Sequence, residues 1–283
     1  MLGALQLGNV LPFTRKYGFL YKKRCVLMFS EEIKAVCNAG KNKVKLLENN
    51  PVGYVASSFM AGGYIALGSI LMGIMGGYFS AGSSPATKLV CGLVFSIGLC
   101  FVIMAGAELF TGNNFVMAVA SMKGEVSWAK TAKLWVVCYL GNLLGSVVFG
   151  AIFTMTGLMN GAEVGSFFQN AAAAKIAGAP LNLFAKAILC NICVCAAVWC
   201  SIKLKSESGK ILMAIAGVMT FVSSGFEHSI ANMTFLTIGL LTPGEAAINL
   251  GGALYNLAVV TAGNMLGGIL FVAVPYYLIS KEK

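Results

Sequence analysis

Long apolar runs, each bounded or interrupted by a few polar residues, organise this chain. Residues 52–79, 89–120, 128–158, 181–204, 211–241 and 246–279 are apolar over enough length to predict six bilayer spans, because a helix crosses with roughly 20 apolar residues. The runs exceed the length of a membrane barrel strand and lack its alternation, so the spans are helical. Upstream, Ile33, Val36, Cys37, Val44 and Leu47 alternate with Lys34, Lys41, Lys43 and Lys45. That pattern predicts an amphipathic helix at the membrane interface. Ser30 followed by Glu31 and Glu32 reads as its N-cap with acids in the first turn. A second short helix, 166–177, precedes the fourth span and carries Lys175.

Two of the runs are broken. Glu108-Leu109-Phe110-Thr111-Gly112-Asn113-Asn114 interrupts the second, and Gly225-Phe226-Glu227-His228-Ser229-Ile230-Ala231-Asn232-Met233 interrupts the fifth. His228 is the only histidine in the chain. Ionisable side chains are costly at membrane depth, so an adjacent Glu-His pair there marks a site; the competing reading is a histidine that fixes helix register. Glycine beside asparagines favours non-helical backbone, which is tolerated at that depth only when buried or lining a cavity.

The breaks belong to an internal repeat. Gly141-Asn142-Leu143-Leu144-Gly145 in the third span returns as Gly263-Asn264-Met265-Leu266-Gly267 in the sixth, and Phe149 matches Phe271 at the same offset. Glu108 and Asn113 have the spacing of Glu227 and Asn232. Three spans separate the copies, so the predicted fold is an all-α integral membrane protein of two inverted three-helix repeats, with broken second and fifth helices. Paired interrupted segments in corresponding halves point to a transport site near the midplane. Each break presents a helix N-terminus, and two converging there make a place where an anion can shed water.

Composition adds the setting. Of 283 residues, 58% are hydrophobic and 11% charged, far below the roughly 25% charged of a soluble domain. One channel-sized domain, 51–280, is predicted after a cytoplasmic helix at 28–50, flanked by a basic extension at 1–27 and a tail at 281–283. The extension reads as a mis-called start, a tag-like addition or a cytoplasmic tail, disordered or foreign to the native chain in the first two readings, and it lacks the order of elements of a signal peptide. The net charge of +10 does not predict nucleic-acid binding, because Arg15, Lys16, Lys22, Lys23 and Arg24 supply half of it and most of the remainder lies in short loops. Lys123, Lys130 and Lys133 in one loop and Lys203, Lys205 and Lys210 in another place those loops and both termini in the cytoplasm. Cys190, Cys193, Cys195 and Cys200 crowd one apolar helix without the loop context of a zinc site, and are expected to pack as small hydrophobes. No metal, cofactor or catalytic triad is expected, so an enzyme is disfavoured.

The segment Gly106-Ala107-Glu108-Leu109-Phe110-Thr111-Gly112-Asn113 and the run from Phe221 through Gly225-Phe226-Glu227-His228-Ser229-Ile230-Ala231-Asn232-Met233 resemble the two signatures of the formate/nitrite transporter family, closest to its hydrosulfide-channel branch. The resemblance spans about 30–279. It implies a homopentamer of aquaporin-like protomers in a bacterial inner membrane, each with a pore for small monovalent anions. It further implies two apolar constrictions, at Leu109 with Phe110 as neighbour and at Phe221, flanking a chamber that holds His228. Thr111 would face the anion or His228; Asn191 and Asn264 would hydrogen-bond around the centre; Lys175 would attract the anion, with Glu227 as its partner.

A bare anion faces a high barrier between apolar rings. His228 titrates near neutral pH and has two uses there: donating a proton so that formate, nitrite or hydrosulfide crosses as a neutral acid, or remaining charged as a counter-ion. Glu108 is expected to be structural, accepting backbone hydrogen bonds, and Asn142 to hold helices together. The expected function is an anion channel with hydrosulfide favoured. The rivals are a proton-coupled transporter of the same acids and a water or neutral-solute channel, although neither break contains Asn-Pro-Ala.

Overall fold

Proline, asparagine and serine set where the helices begin. The computed structural model describes residues 13–280, with side chains from Ser30 onward; the 281–283 tail and residues 1–12 of the predicted extension lie outside the described residues. The described elements are helical: α1 (Phe13–Asn49), α2 (Pro51–Ala81), α3 (Thr87–Ala105), α4 (Phe110–Met122), α5 (Trp128–Met155), α6 (Ala162–Ile176), α7 (Pro180–Lys203), α8 (Glu207–Ser223), α9 (Ser229–Leu241), α10 (Leu250–Gly268) and α11 (Val274–Ile279). Asn50, Ser127, Ser206 and Asn249 cap α2, α5, α8 and α10 by accepting an N–H three residues on. Pro51 and Pro180 open α2 and α7, where a missing N–H costs nothing.

The runs 89–120 and 211–241 are each two helices, α3 with α4 and α8 with α9, parted at the polar segments. Among the described residues, five apolar stretches are long enough to cross a membrane, namely α2, α3, α5, α7 and Leu250–Ile279. The last of these contains a π turn, Ile269–Ala273, just before Pro275. Proline offers no N–H and its ring crowds the carbonyl four residues back, so the wider turn relieves the conflict without ending the helix.

Glycines let the helices approach. A Cβ at Gly145 would run into the Phe59 carbonyl of α2, and one at Gly267 into the Ile188 carbonyl of α7. In each Gly-Asn motif the glycines thus bring the asparagine between them within reach of a neighbouring break.

α1 buries the predicted face, with Ile33, Val36, Cys37, Val44 and Leu47 all enclosed. That burial pushes the Cys37 thiol above its usual range. Lys41–Glu125 and Lys130–Glu48, each 2.9 Å, flank the docked helix. Both pairs are substantially exposed, so the apolar face does most of the docking. Lys123 Nζ meets the Ser280 carbonyl at 3.4 Å. The turn after α4, the end of α11 and α1 therefore share one face. α1 begins at Phe13, so Ser30 lies inside it rather than capping it. No glycine or proline separates Ser30 from the preceding Arg-Lys-rich residues from 19 on, so nothing forces a stop.

Both breaks open with a left-handed glycine, Gly106 at φ 76° and Gly225 at φ 73°. The next N–H reaches back five residues, Ala107 to the Val102 carbonyl at 3.0 Å and Phe226 to the Phe221 carbonyl at 2.9 Å, the bond of a Schellman end. No atom crowds a Cβ at Gly225, so Gly225→Ala tests backbone strain alone. It is expected to lower stability by about 1–2 kcal/mol, read as a lower thermal midpoint, and Gly106→Ala should match it.

Candidate functional site

The same local geometry is built twice. Two residues after each left-handed glycine comes a glutamate, and the next residue takes extended backbone as the N-cap of the second half-helix. These N-caps are Leu109 (φ −100°, ψ 123°) for α4 and His228 (φ −110°, ψ 115°) for α9. The first N–H of each half-helix goes to the asparagine of a Gly-Asn motif: Phe110 N–H donates to Asn142 Oδ1 and Ser229 N–H to Asn264 Oδ1, both at 2.9 Å. Asn142 Nδ2 donates to the carbonyls of Ser58 (2.7 Å) and Glu108 (2.9 Å). Asn264 Nδ2 donates to those of Ala187 (2.7 Å) and Glu227 (2.9 Å). Both asparagines are fully buried. They satisfy backbone groups that the interruption leaves open, and lipid offers no substitute partner.

Each glutamate carries a lysine and an asparagine. Lys175 Nζ lies 2.8 Å from Glu227 Oε2, which also accepts from Asn232 Nδ2 at 2.7 Å. Lys43 Nζ lies 2.7 Å from Glu108 Oε1, while Asn113 Nδ2 donates to Oε2 at 2.9 Å. The surroundings then differ. Tyr54 Oη donates to Glu108 at 3.4 Å, whereas Asn232 gives its second hydrogen to Asn256 Oδ1 at 2.9 Å. The expectation that Glu108 accepts backbone hydrogen bonds is corrected: its partners are side chains, and it forms an ion pair.

Each pair lines a cavity. One, about 290 Å³, is bordered by Lys43, Glu108, Leu109, Gly112 and Val198. The other, about 140 Å³, is bordered by Lys175, Glu227, Phe221, Phe95 and His228. Lys43 is on α1, beside the turn that starts α5, and Lys175 is on α6, beyond the end of α5. The two cavities therefore enter from opposite faces.

The two breaks meet at Thr111 and His228, with Thr111 Oγ1 3.0 Å from His228 Nε2; His228 borders the smaller cavity, and Leu109 and Gly112 beside Thr111 border the larger. His228 Nδ1 accepts the Ala231 N–H at 3.1 Å. A backbone N–H can only donate, so Nδ1 uses its lone pair there and Nε2 carries the proton toward Thr111. His228 is 3% exposed and Thr111 is fully buried. The Phe221 ring stacks on the imidazole, with centroids 5.7 Å apart and planes 18° apart.

The structure thus brings together His228, Thr111, Phe221, Lys175 and Glu227, with Leu109 bordering the other cavity. Phe110 packs edge-on against Tyr139 at 5.0 Å and lines neither cavity. Asn191 Nδ2 serves the carbonyls of Asn264 (2.7 Å) and Thr111 (3.3 Å) and Asn114 Oδ1 (3.1 Å). Asn191 and Asn264 hold the backbone around the centre. The cysteines contribute as well: Cys138 and Cys195 thiols donate to the Glu108 and Thr111 carbonyls, at 3.2 and 3.4 Å. Lys43 and Tyr54 are absent from the residues predicted for the site. The repeat carried a signal for a lysine opposite Glu108, since Glu108 stands where Glu227 stands.

The chain matches the formate/nitrite transporter family over residues 30–278. It is 36% identical to the nitrite transporter NirC of Salmonella typhimurium over 255 residues, covering 88% of this chain and 91% of that protein. Its structure aligns with an FNT family ion channel at TM-score 0.81 and 32% identity, over 88% of this chain and 98% of the other. A pentameric formate channel with formate bound aligns at TM-score 0.68 and 30% identity, over 81% and 96% of the two chains.

Proposed function

The chain belongs to the formate/nitrite transporter family, which comprises channels and transporters rather than enzymes, and from that premise we propose that each protomer conducts small monovalent anions through its own pore. The observation that carries this reading is the pair of cavities on opposite sides of the breaks, each with a lysine-glutamate pair, one bordered by Leu109 and Gly112 and the other by His228, with Thr111 of the first break in contact with His228 of the second. Lys43 and Lys175 neutralise Glu108 and Glu227 at the two mouths, so that an arriving anion is not repelled there. Leu109 and Phe221 form apolar constrictions in which a bare charge loses its water. Thr111 and His228 offer the polar contacts between them, assisted by the positive ends of α4 and α9. Asn142, Asn191 and Asn264 act through the backbone, holding the two breaks in register.

The assembly we propose is a homopentamer in a bacterial inner membrane, with six transmembrane segments in two inverted repeats and both termini cytoplasmic. The formate-bound pentameric neighbour and the nitrite-transporting relative support small acids as the substrate class. Hydrosulfide is the favoured anion, with formate and nitrite beside it. Passage is channel-like; uphill uptake driven by an imposed proton gradient would instead establish proton-coupled transport.

In reconstituted liposomes, His228→Phe and His228→Asn are expected to alter both the pH dependence and the selectivity of uptake between about pH 5 and 8, where imidazoles change charge. Uptake that keeps its wild-type pH profile and anion preference in both variants would reject a central role for His228. Uptake of hydrosulfide, formate and nitrite side by side in the same liposomes assigns the substrate.

A further inference from the structure

We propose that Phe221 is the positioning residue for His228, so that the aromatic constriction and the imidazole form one mechanical unit. This deepens the reading of His228 as the central group of the pore and rests on it. Two in-plane contacts hold the edges of the imidazole, Nδ1 from Ala231 N–H and Nε2 at Thr111. In-plane contacts resist sliding but restrain tilting out of the plane poorly. The Phe221 ring supplies the missing restraint, lying nearly parallel to the imidazole at 18°, within the offset-stacked range of aromatic pairs.

Phe221 is itself backed. Phe95 of α3 meets it edge-on, with centroids 5.9 Å apart at 82°, and Phe95 and Phe221 are 2% and 3% exposed. Close packing of α3 on α8 keeps that backing in place, since a Cβ at Gly92 would crowd Ser223 and the Met219 backbone. A continuous chain therefore runs from Phe95 on α3 through Phe221 on α8 and His228 capping α9 to Thr111 on α4. It ties both halves of both broken helices together at one point.

All three rings border the smaller cavity. A swing of Phe221 that admits an anion also removes the surface that keeps Nε2 aimed at Thr111. Opening the constriction and freeing the proton-bearing nitrogen are then the same movement. A side chain that only plugged the passage would need bulk and no plane, and leucine supplies bulk alone.

The sole histidine makes the test clean, because a chain labelled with 15N-histidine carries one imidazole. In the full-length protein in liposomes, magnetic resonance should show a single rigid tautomer, protonated at Nε2 and bare at Nδ1. Phe221→Leu should lose that signature, giving mixed tautomers or a motionally averaged ring. Phe221→Tyr, which restores the plane, should return it. Phe95→Leu leaves the stacked pair intact but removes its backing, and should lose part of the rigidity; it carries the test if Phe221→Leu does not assemble. A wild-type spectrum in the leucine variants would overturn the proposal. Anion uptake in the same liposomes separates the two readings: a wild-type chain that carries no anion, with the tautomer still lost in Phe221→Leu, would sink the pore and leave the stack standing.

Discussion

Asn264→Asp is expected to prevent the chain from reaching its folded, assembled state, although it exchanges one nitrogen for oxygen. Asn264 uses its whole amide: Oδ1 accepts from Ser229 N–H, and Nδ2 donates to the carbonyls of Ala187 and Glu227 at 2.7 and 2.9 Å. An aspartate keeps the acceptor and turns a second oxygen toward two carbonyl oxygens. The site is fully buried, so water cannot replace the lost donors. Each buried polar group left without a partner costs about 1–3 kcal/mol, and more where a charge is involved. The sum is several kcal/mol, against a typical total stability of about 5–15 kcal/mol. Asn142→Asp should fail to a similar degree, because Asn142 makes the matching bonds in the other half. Asn249→Asp should be nearly silent, since Asn249 caps the exposed start of α10 only by accepting from Gly252 N–H, a role aspartate fills. Oligomer yield by size exclusion and the thermal midpoint read all three. A wild-type midpoint for Asn264→Asp would show that the break does not depend on the amide.

Lys175→Met is expected to cut anion uptake by at least about tenfold, and adding Glu227→Gln should return most of it. The ammonium and carboxylate are 2.8 Å apart, with side chains 16% and 11% exposed. An anion entering the 140 Å³ cavity therefore meets a pair with no net charge. Without the ammonium it meets an uncompensated carboxylate. Two like charges about 4 Å apart repel by about 4 kcal/mol at an effective dielectric constant of 20. A third of that already corresponds to about tenfold in rate. In the double variant the neutral amide that replaces the Glu227 carboxylate can still accept from Asn232 but repels nothing. Raising ionic strength should relieve the single variant more than the double, because salt screens the partly exposed charge. If the double variant were as slow as Lys175→Met alone, repulsion by Glu227 would not be the cause. Lys43→Met with Glu108→Gln repeats the test at the other mouth.

Spacing along the chain was enough to reveal the apolar runs, the two interruptions with the Glu227-His228 pair, and the repeat. Apolar length, a glycine beside asparagines and a recurring Gly-Asn motif are all visible without any fold. Thr111 beside His228 and Lys175 beside Glu227 were anticipated from the family resemblance. Spacing alone could not deliver them, since the first pair is 117 residues apart and the second 52. The ion pair of Lys43 with Glu108, 65 residues apart, went unforeseen, because nothing local says which lysine of an amphipathic helix faces a distant carboxylate.

What covers the apolar stripe of α1 was open until the helices were assembled. Periodicity reports that one face leaves water, and lipid and protein satisfy it equally. Here the stripe lies against α4, where a Cβ at Gly40 would meet the Ala120 Cβ at 2.8 Å, and Lys43 is thereby delivered to the mouth of a cavity. The stack of Phe221 on His228 was settled in the same way. A side chain's neighbours are fixed by where whole helices cross, and that crossing depends on the packing of many residues at once rather than on any stretch of sequence.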